Sequence, residues 1–179
     1  MRTEIRIAGF GGQGVVLAGR LLGEAAILAG KRAVQTQSYG PESRGGAARS
    51  EVVVSDQDID YPKVIKADIL VALSQPAFVK YRAAVKEGGK IIVDADLVEA
   101  DDAEISSVPF AKTADSLGKR MVANSVMLGY LVASTGVIPT ESMEMTIREK
   151  VPEHTIELNL KAFRRGLGLS GKEVDCEPR

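Results

Sequence analysis

The sequence predicts an α/β domain built on a mostly parallel sheet with helices on both faces. Three observations carry that prediction. Short apolar runs alternate with longer segments whose apolar residues recur at helical spacing. A glycine-rich turn, Gly9-Phe10-Gly11-Gly12-Gln13-Gly14, stands between the first run and the first helical segment. The runs at 67–74 and 91–94 are almost continuously apolar, as strands covered on both faces are.

In chain order, Ile5, Ile7 and Ala8 mark a short buried strand, and residues 15–28 form a helix through Val16, Leu17, Leu21, Leu22, Ala25 and Leu28. A second strand covers 33–37 and runs into Ser38-Tyr39-Gly40-Pro41-Glu42-Ser43-Arg44-Gly45-Gly46, whose Gly-Pro and Gly-Gly steps mark a loop. A third strand follows at 48–55, and Asp60-Tyr61-Pro62 is a turn before the strand at 67–74. Pro76 suits the first turn of a helix at 75–85, and Gly88-Gly89 ends the connection to the strand at 91–94. A further piece lies near 105–108. A helix at 124–134 is expected to take its cap from Asn124 or Ser125 and to end at Gly136. Helices at 140–151 and 155–167 close the domain, the first with Thr140 and Met143 at a capping-box-like start. Taken together this is a Rossmann-like single domain over 1–168 with a polar tail at 169–179.

The chain has 23 Lys plus Arg against 24 Asp plus Glu, a net charge of −1, so bulk electrostatics point to neither nucleic acid nor membrane. No apolar run reaches the roughly 18 residues that span a bilayer, and no basic-then-apolar leader opens the sequence. A cytoplasmic protein is expected. One cysteine, Cys176, and one histidine, His154, supply too few ligands for an iron–sulfur cluster or a zinc site.

Gly9, Gly11 and Gly14 have the G-x-G-x-x-G spacing of a dinucleotide turn, where first-turn amides of the following helix bind an anion. The acidic residue that would hold a ribose is missing from the end of the second strand, Ala33-Val34-Gln35-Thr36-Gln37-Ser38. A Walker loop fails as well, because Gly14 is followed by Val15-Val16. On the fingerprint alone, a structural turn and a phosphate or dinucleotide site both stay open. If the loop after the second strand lies at the same sheet edge, it gathers Tyr39, Glu42 and Arg44 beside the glycines.

The glycine turn, the stretch from Thr36 to Gly46 with Ser50-Glu51-Val52 after it, the later Asp68-to-Gln75 segment and the helix from Asn124 to Gly136 together resemble the gamma subunit of the 2-oxoacid:ferredoxin oxidoreductases. The resemblance runs from Met1 to about Leu167. Its wording, Gly-Gly-Gln-Gly and Thr-Gln-Ser-Tyr-Gly-Pro-Glu, is nearer the 2-oxoglutarate enzyme than the pyruvate or branched-chain enzymes.

That resemblance implies a complex that decarboxylates a 2-oxoacid on thiamine diphosphate, passes electrons through iron–sulfur clusters to ferredoxin, and releases an acyl-CoA. Thiamine diphosphate, Mg2+, the clusters and CoA belong on or with other subunits, and this chain by itself binds no cofactor. The implied partners are alpha and beta subunits, with a delta subunit left open. This chain then has no catalytic or metal residues of its own. Its candidate cofactor-binding residues are Gly9, Gly11, Gly12, Gln13, Gly14 and Arg44, facing CoA. Tyr39, Pro41, Glu42 and Arg44 are its candidate interface residues, because Pro41 limits the loop while Tyr and Arg anchor interfaces. A free-standing NAD or FAD enzyme and a ligand-free assembly module are the alternatives. A subunit shaped to be covered is also expected to form a two-fold homodimer when isolated.

Overall fold

A computed structural model describes residues 1–38 and 48–171. Its sheet has six strands: β1 (Arg2–Gly9), β2 (Arg32–Ser38), β3 (Ala48–Ser55), β4 (Ala67–Ala72), β5 (Val85–Asp94) and β6 (Ser106–Val108). The helices are α1 (Val15–Leu28), α2 (Gln75–Tyr81), α3 (Phe110–Ser116), α4 (Ala123–Thr135), α5 (Thr140–Lys150) and α6 (Ile156–Gly168). Tyr39, Pro41, Glu42, Arg44 and Cys176 lie outside the described residues.

The strand order is β2-β3-β1-β4-β5-β6. Neighbours from β1 through β4 and β5 to β6 pair in parallel, whereas β3 is antiparallel to both β1 and β2. The α/β class holds, and the sheet is mixed. The physical reason is connection length: Ser38 and Ala48 are too close in sequence for a crossover, which needs a dozen or more residues, so the chain returns antiparallel. β3 thus slots between β2 and β1, placing Ala48 opposite Gly9 and Arg49 opposite Ser38.

Helices lie on both faces, unevenly. On one face the largest core cluster joins Ile7, Val52 and Val71 of the sheet to α1, α3, α4, α5 and α6 through Leu21, Phe110, Leu128, Met143 and Phe163. On the other, α2 is the covering helix, packing Ala77 and Tyr81 on Ala8 and Leu70, and Phe78 on Ala72 and Val93. The segments around Val64 and Val98 fill the rest of that layer. No helix among the described residues is long and apolar enough to cross a membrane.

Several local expectations need correction. The helix expected to reach residue 85 stops at Tyr81, where Ser74 Oγ caps its start by accepting from Ala77 N at 3.3 Å. A 3-10 turn follows, and β5 begins at Val85 with Gly88, at φ 72, inside its irregular pairing with β4. Asn124 and Ser125 do not cap α4; they are buried within it, and Ser125 Oγ donates to Asn159 Oδ1 of α6 at 2.7 Å. Gly136 does end the helix, at φ 64. Pro139 takes the cap position of α5, with no side-chain bond, so no capping box forms there. Helix α3 is an addition, seven residues long and below the length at which helical periodicity is readable.

Arg164 of α6 grips Glu144 of α5 with two hydrogen bonds, Nε to Oε1 at 2.8 Å and a terminal nitrogen to Oε2 at 2.9 Å. Hydrogen bonding by Arg164 holds the Glu144 carboxyl below its ordinary value, against a smaller opposing effect of burial. A lowered carboxyl contributes stability above its unfolded pKa and loses it as pH falls through the folded value. Glu144→Gln is therefore expected to cost about 0.5–1 kcal/mol near neutrality and nothing once the wild-type group is protonated. Urea denaturation at pH 7 and in acid at about pH 2, well under the ordinary carboxylate range, checks this; an equal cost at both would refute the pairing.

Candidate functional site

β1 delivers its last residue, Gly9, to the carboxyl edge of the sheet, and the chain turns through residues 10–14 into α1. The glycines there do different jobs. A Cβ on Gly9 would stand 3.0 Å from Leu73 Cβ and against the Gln13 side chain, so Gly9 is a packing requirement. Gly14 caps α1 at φ 70, and a Cβ would stand 2.6 Å from Asn124 Nδ2. Gly12 has φ 92 with open space around its missing Cβ, and Gly11 is exposed.

Gln13 braces the turn. Its Oε1 accepts from Phe10 N at 2.5 Å, and its Nε2 donates to Leu73 O at 2.8 Å, tying the turn to the end of β4. Gln13 thereby holds the loop rather than presenting a free amide. α1 has neither a side-chain cap nor an acidic residue in its first turn, so no side chain of that turn neutralises the positive end of its dipole.

Beside this turn, over the ends of β1, β4 and β5, lies a cleft of about 290 Å³. The strand order reverses between β1 and β4, and open α/β sheets place ligands at that point. Leu73, Leu97 and Met121 supply apolar lining, while Gly12, Asp94 and Arg120 supply the polar positions. Its volume is at the small end for a ligand site.

Asp94 is 2 % exposed. Its two oxygens accept from Asp96 N and Ala111 N, each at 3.1 Å, which fixes the 94–97 turn and the start of α3. Burial pushes its carboxyl above the ordinary value; those amides and Arg120 pull the other way, and the neighbouring Asp96 adds to the rise. With both oxygens committed to backbone, Asp94 shapes the cleft wall. Arg120 and Met121 are exposed at its mouth.

Sequence reasoning missed Asp94, Arg120 and Met121. For Asp94 a signal existed, since an acid at the carboxyl end of a central strand sits where such sheets bind ligands. Arg120 and Met121 belong to a 3-10 turn and the start of the approach to α4, which no periodicity announces. Among the described residues no group of three His, Cys, Asp or Glu could hold a metal ion, and His154 is exposed in a 3-10 turn ahead of α6.

The strand arrangement departs from that of a dinucleotide site. In that fold the second strand neighbours the first and ends in the ribose-binding acid. Here antiparallel β3 occupies that place, and β2 ends one strand further out with Gln35 bonded to Val16 O and Ser50 Oγ. The register brings Ser38 and Ala48, the two ends of the stretch containing Arg44, to the edge where the glycine turn lies.

Residues 4–169 match the family model described as pyruvate ferredoxin/flavodoxin oxidoreductase. The chain is 54% identical over 173 residues to 2-oxoglutarate synthase subunit KorC of Methanocaldococcus jannaschii, covering 93% of this chain and 92% of that protein. Ketoisovalerate oxidoreductase subunit VorA of Methanothermobacter marburgensis is 34% identical over 98% of this chain, which spans 38% of that longer protein. Among solved structures, the keto/oxoacid ferredoxin oxidoreductase gamma subunit from Geobacter sulfurreducens PCA superposes with a TM-score of 0.83 at 45% identity, covering 94% of this chain and 98% of that one.

Proposed function

The chain belongs to the pyruvate ferredoxin/flavodoxin oxidoreductase family, as a gamma subunit, and from that premise we propose that it serves a 2-oxoglutarate:ferredoxin oxidoreductase. One observation carries the choice of substrate: identity to the 2-oxoglutarate synthase subunit is 54%, against 34% to the ketoisovalerate enzyme over a comparable share of this chain. The assembled enzyme would decarboxylate 2-oxoglutarate with thiamine diphosphate, Mg2+ and iron–sulfur clusters held by alpha and beta partners, send the electrons to ferredoxin, and form an acyl-CoA.

Within that assembly the sheet edge is this chain's contribution. CoA brings the thiol that accepts the acyl group and phosphates that need donors. The unneutralised start of α1, exposed Gly11 and Gly12, and the adjoining apolar cleft fit a phosphate joined to an extended arm. Arg44 is the charged clamp in this reading. Tyr39, Pro41 and Glu42, on the same connection, meet a neighbouring subunit.

The test is the complex coproduced with its partner subunits and assayed by ferredoxin reduction with 2-oxoglutarate, pyruvate and 2-oxoisovalerate. The highest kcat/KM is expected with 2-oxoglutarate, and no turnover from this chain alone; a preference for pyruvate would overturn the substrate assignment. Arg44→Ala is expected to raise KM for CoA by about ten- to a hundredfold, the worth of about 1.5–3 kcal/mol of charge-assisted hydrogen bonding, with the subunits still together. A loosened gamma subunit at unchanged CoA dependence would make Arg44 an interface residue instead.

A further inference from the structure

Opposite the large helical layer, the face carrying α2 is divided by charge. Between Asp60 and Asp68 the chain has Lys63 and Lys66 and no acid, and between Asp68 and Glu87 it has Lys80, Arg82 and Lys86 and no acid, Lys86 being paired with Asp68 at 2.8 Å. Between Lys90 and Lys112 the pattern inverts: Glu99, Asp101, Asp102 and Glu104 are exposed, and the stretch contains no Lys or Arg.

Both stretches flank α2. Arg6 ties the basic one to it, donating to Val64 O at 2.6 Å while its guanidinium lies 5.1 Å from the centre of the Tyr81 ring. On the acidic side, Gln75 and Glu99 exchange two hydrogen bonds, Glu99 N to Gln75 Oε1 at 2.7 Å and Gln75 Nε2 to Glu99 O at 3.3 Å, and Phe78 packs against Val98. Between the two halves α2 turns Pro76 and Val79 outward, Val79 being 64% exposed, and Ile65 stands 68% exposed on the basic side. Large apolar side chains rimmed by charge are the composition of a protein interface.

We propose that this face is a self-complementary surface for a second copy of the chain, with α2 beside the two-fold axis. A two-fold contact presents the same patch on both partners. Because the basic half sits toward the end of α2 and the acidic half toward its start, a two-fold axis passing by Val79 lays each basic half on the partner's acidic half. A uniformly basic or acidic face would repel its own copy; this one attracts it twice over, around an apolar centre.

The full chain alone, followed by sedimentation velocity at tens of micromolar, is expected to be a dimer that dissociates as salt rises from about 0.05 to about 0.5 M. Lys63→Glu with Lys66→Glu, and separately Glu99→Lys with Asp101→Lys, should each raise the dissociation constant at least about tenfold through like-charge contacts. Mixed in equal amounts, the two reversed chains should dimerise again, since the altered basic half of one then meets the altered acidic half of the other. All four positions are exposed, and circular dichroism matching the original chain establishes that the variants are folded. A monomeric original chain, reversed chains that dimerise undiminished, or a mixture that stays monomeric would each overturn the assignment.

Discussion

Arg6→Ala is expected to destabilise the protein by about 3 kcal/mol, measured as a shift in urea midpoint at unchanged slope. Arg6 and Glu51 face each other across the β1–β3 pairing and are 5% and 6% exposed, so the pair is enclosed. Arg6 Nε donates to Glu51 Oε1 at 2.8 Å, and its remaining bond to Val64 O anchors the segment that covers this face. Removing the arginine leaves a buried carboxylate and an unpaired carbonyl. Arg49 lies 3.6 Å from the same Oε1, which keeps the expected cost at the lower end of the about 3–5 kcal/mol typical of broken buried pairs. The double change Arg6→Met with Glu51→Leu should recover most of the loss, because it removes both desolvated charges together. A single variant within about 0.5 kcal/mol of the original would show that the pair carries no stability.

Gly166→Ala should cost about as much, for a different reason. Helices α4 and α6 cross with glycine on each: a Cβ on Gly166 would overlap Val126 O and stand 2.8 Å from Val126 C and 3.0 Å from Tyr130 N. A Cβ on Gly129 would meet the α6 backbone in return, 2.9 Å from Leu167 N and 3.0 Å from Gly166 Cα. Backbone cannot rotate aside as a side chain can, so one methyl must push the helices apart and loosen Phe163 and Leu128 in the main core. Overpacking of this kind costs about 1–3 kcal/mol, and the backbone contacts put this site at the top of that range. At about 2–4 °C per kcal/mol for a chain this long, the melting temperature should fall by about 6–12 °C. Gly168→Ala, where no atom lies within 4 Å of the added methyl, is the control expected to change little.

Legibility from sequence divides along the range of the interaction. The glycine turn was readable because strand alternation, glycine spacing and helical periodicity are all local, and β1, the turn and α1 follow them. The lack of an acid in Ala33–Ser38, where a ribose acid would fall, was readable as well. Asn124 was misread as a cap because its type suits one; it is instead buried in α4, leaving Gly14 no room for a Cβ. Asp94 was passed over as the end of a strand, since its importance rests on Ala111 and on the turn to Leu97.

By itself, then, the amino-acid order determined the α/β class, most strands and helices to within a few residues, the strand-to-helix turn at Gly9–Gly14, and a cysteine count too low for a cluster. Each depends on neighbours within one or two turns of chain, where spacing alone decides. Tertiary structure decided that β3 enters antiparallel between β2 and β1, that a cleft opens between Gly12, Asp94 and Arg120, and that basic and acidic stretches come to flank α2. Those depend on which surfaces the chain buries when it returns on itself, and burial couples residues through space with no trace in their local spacing.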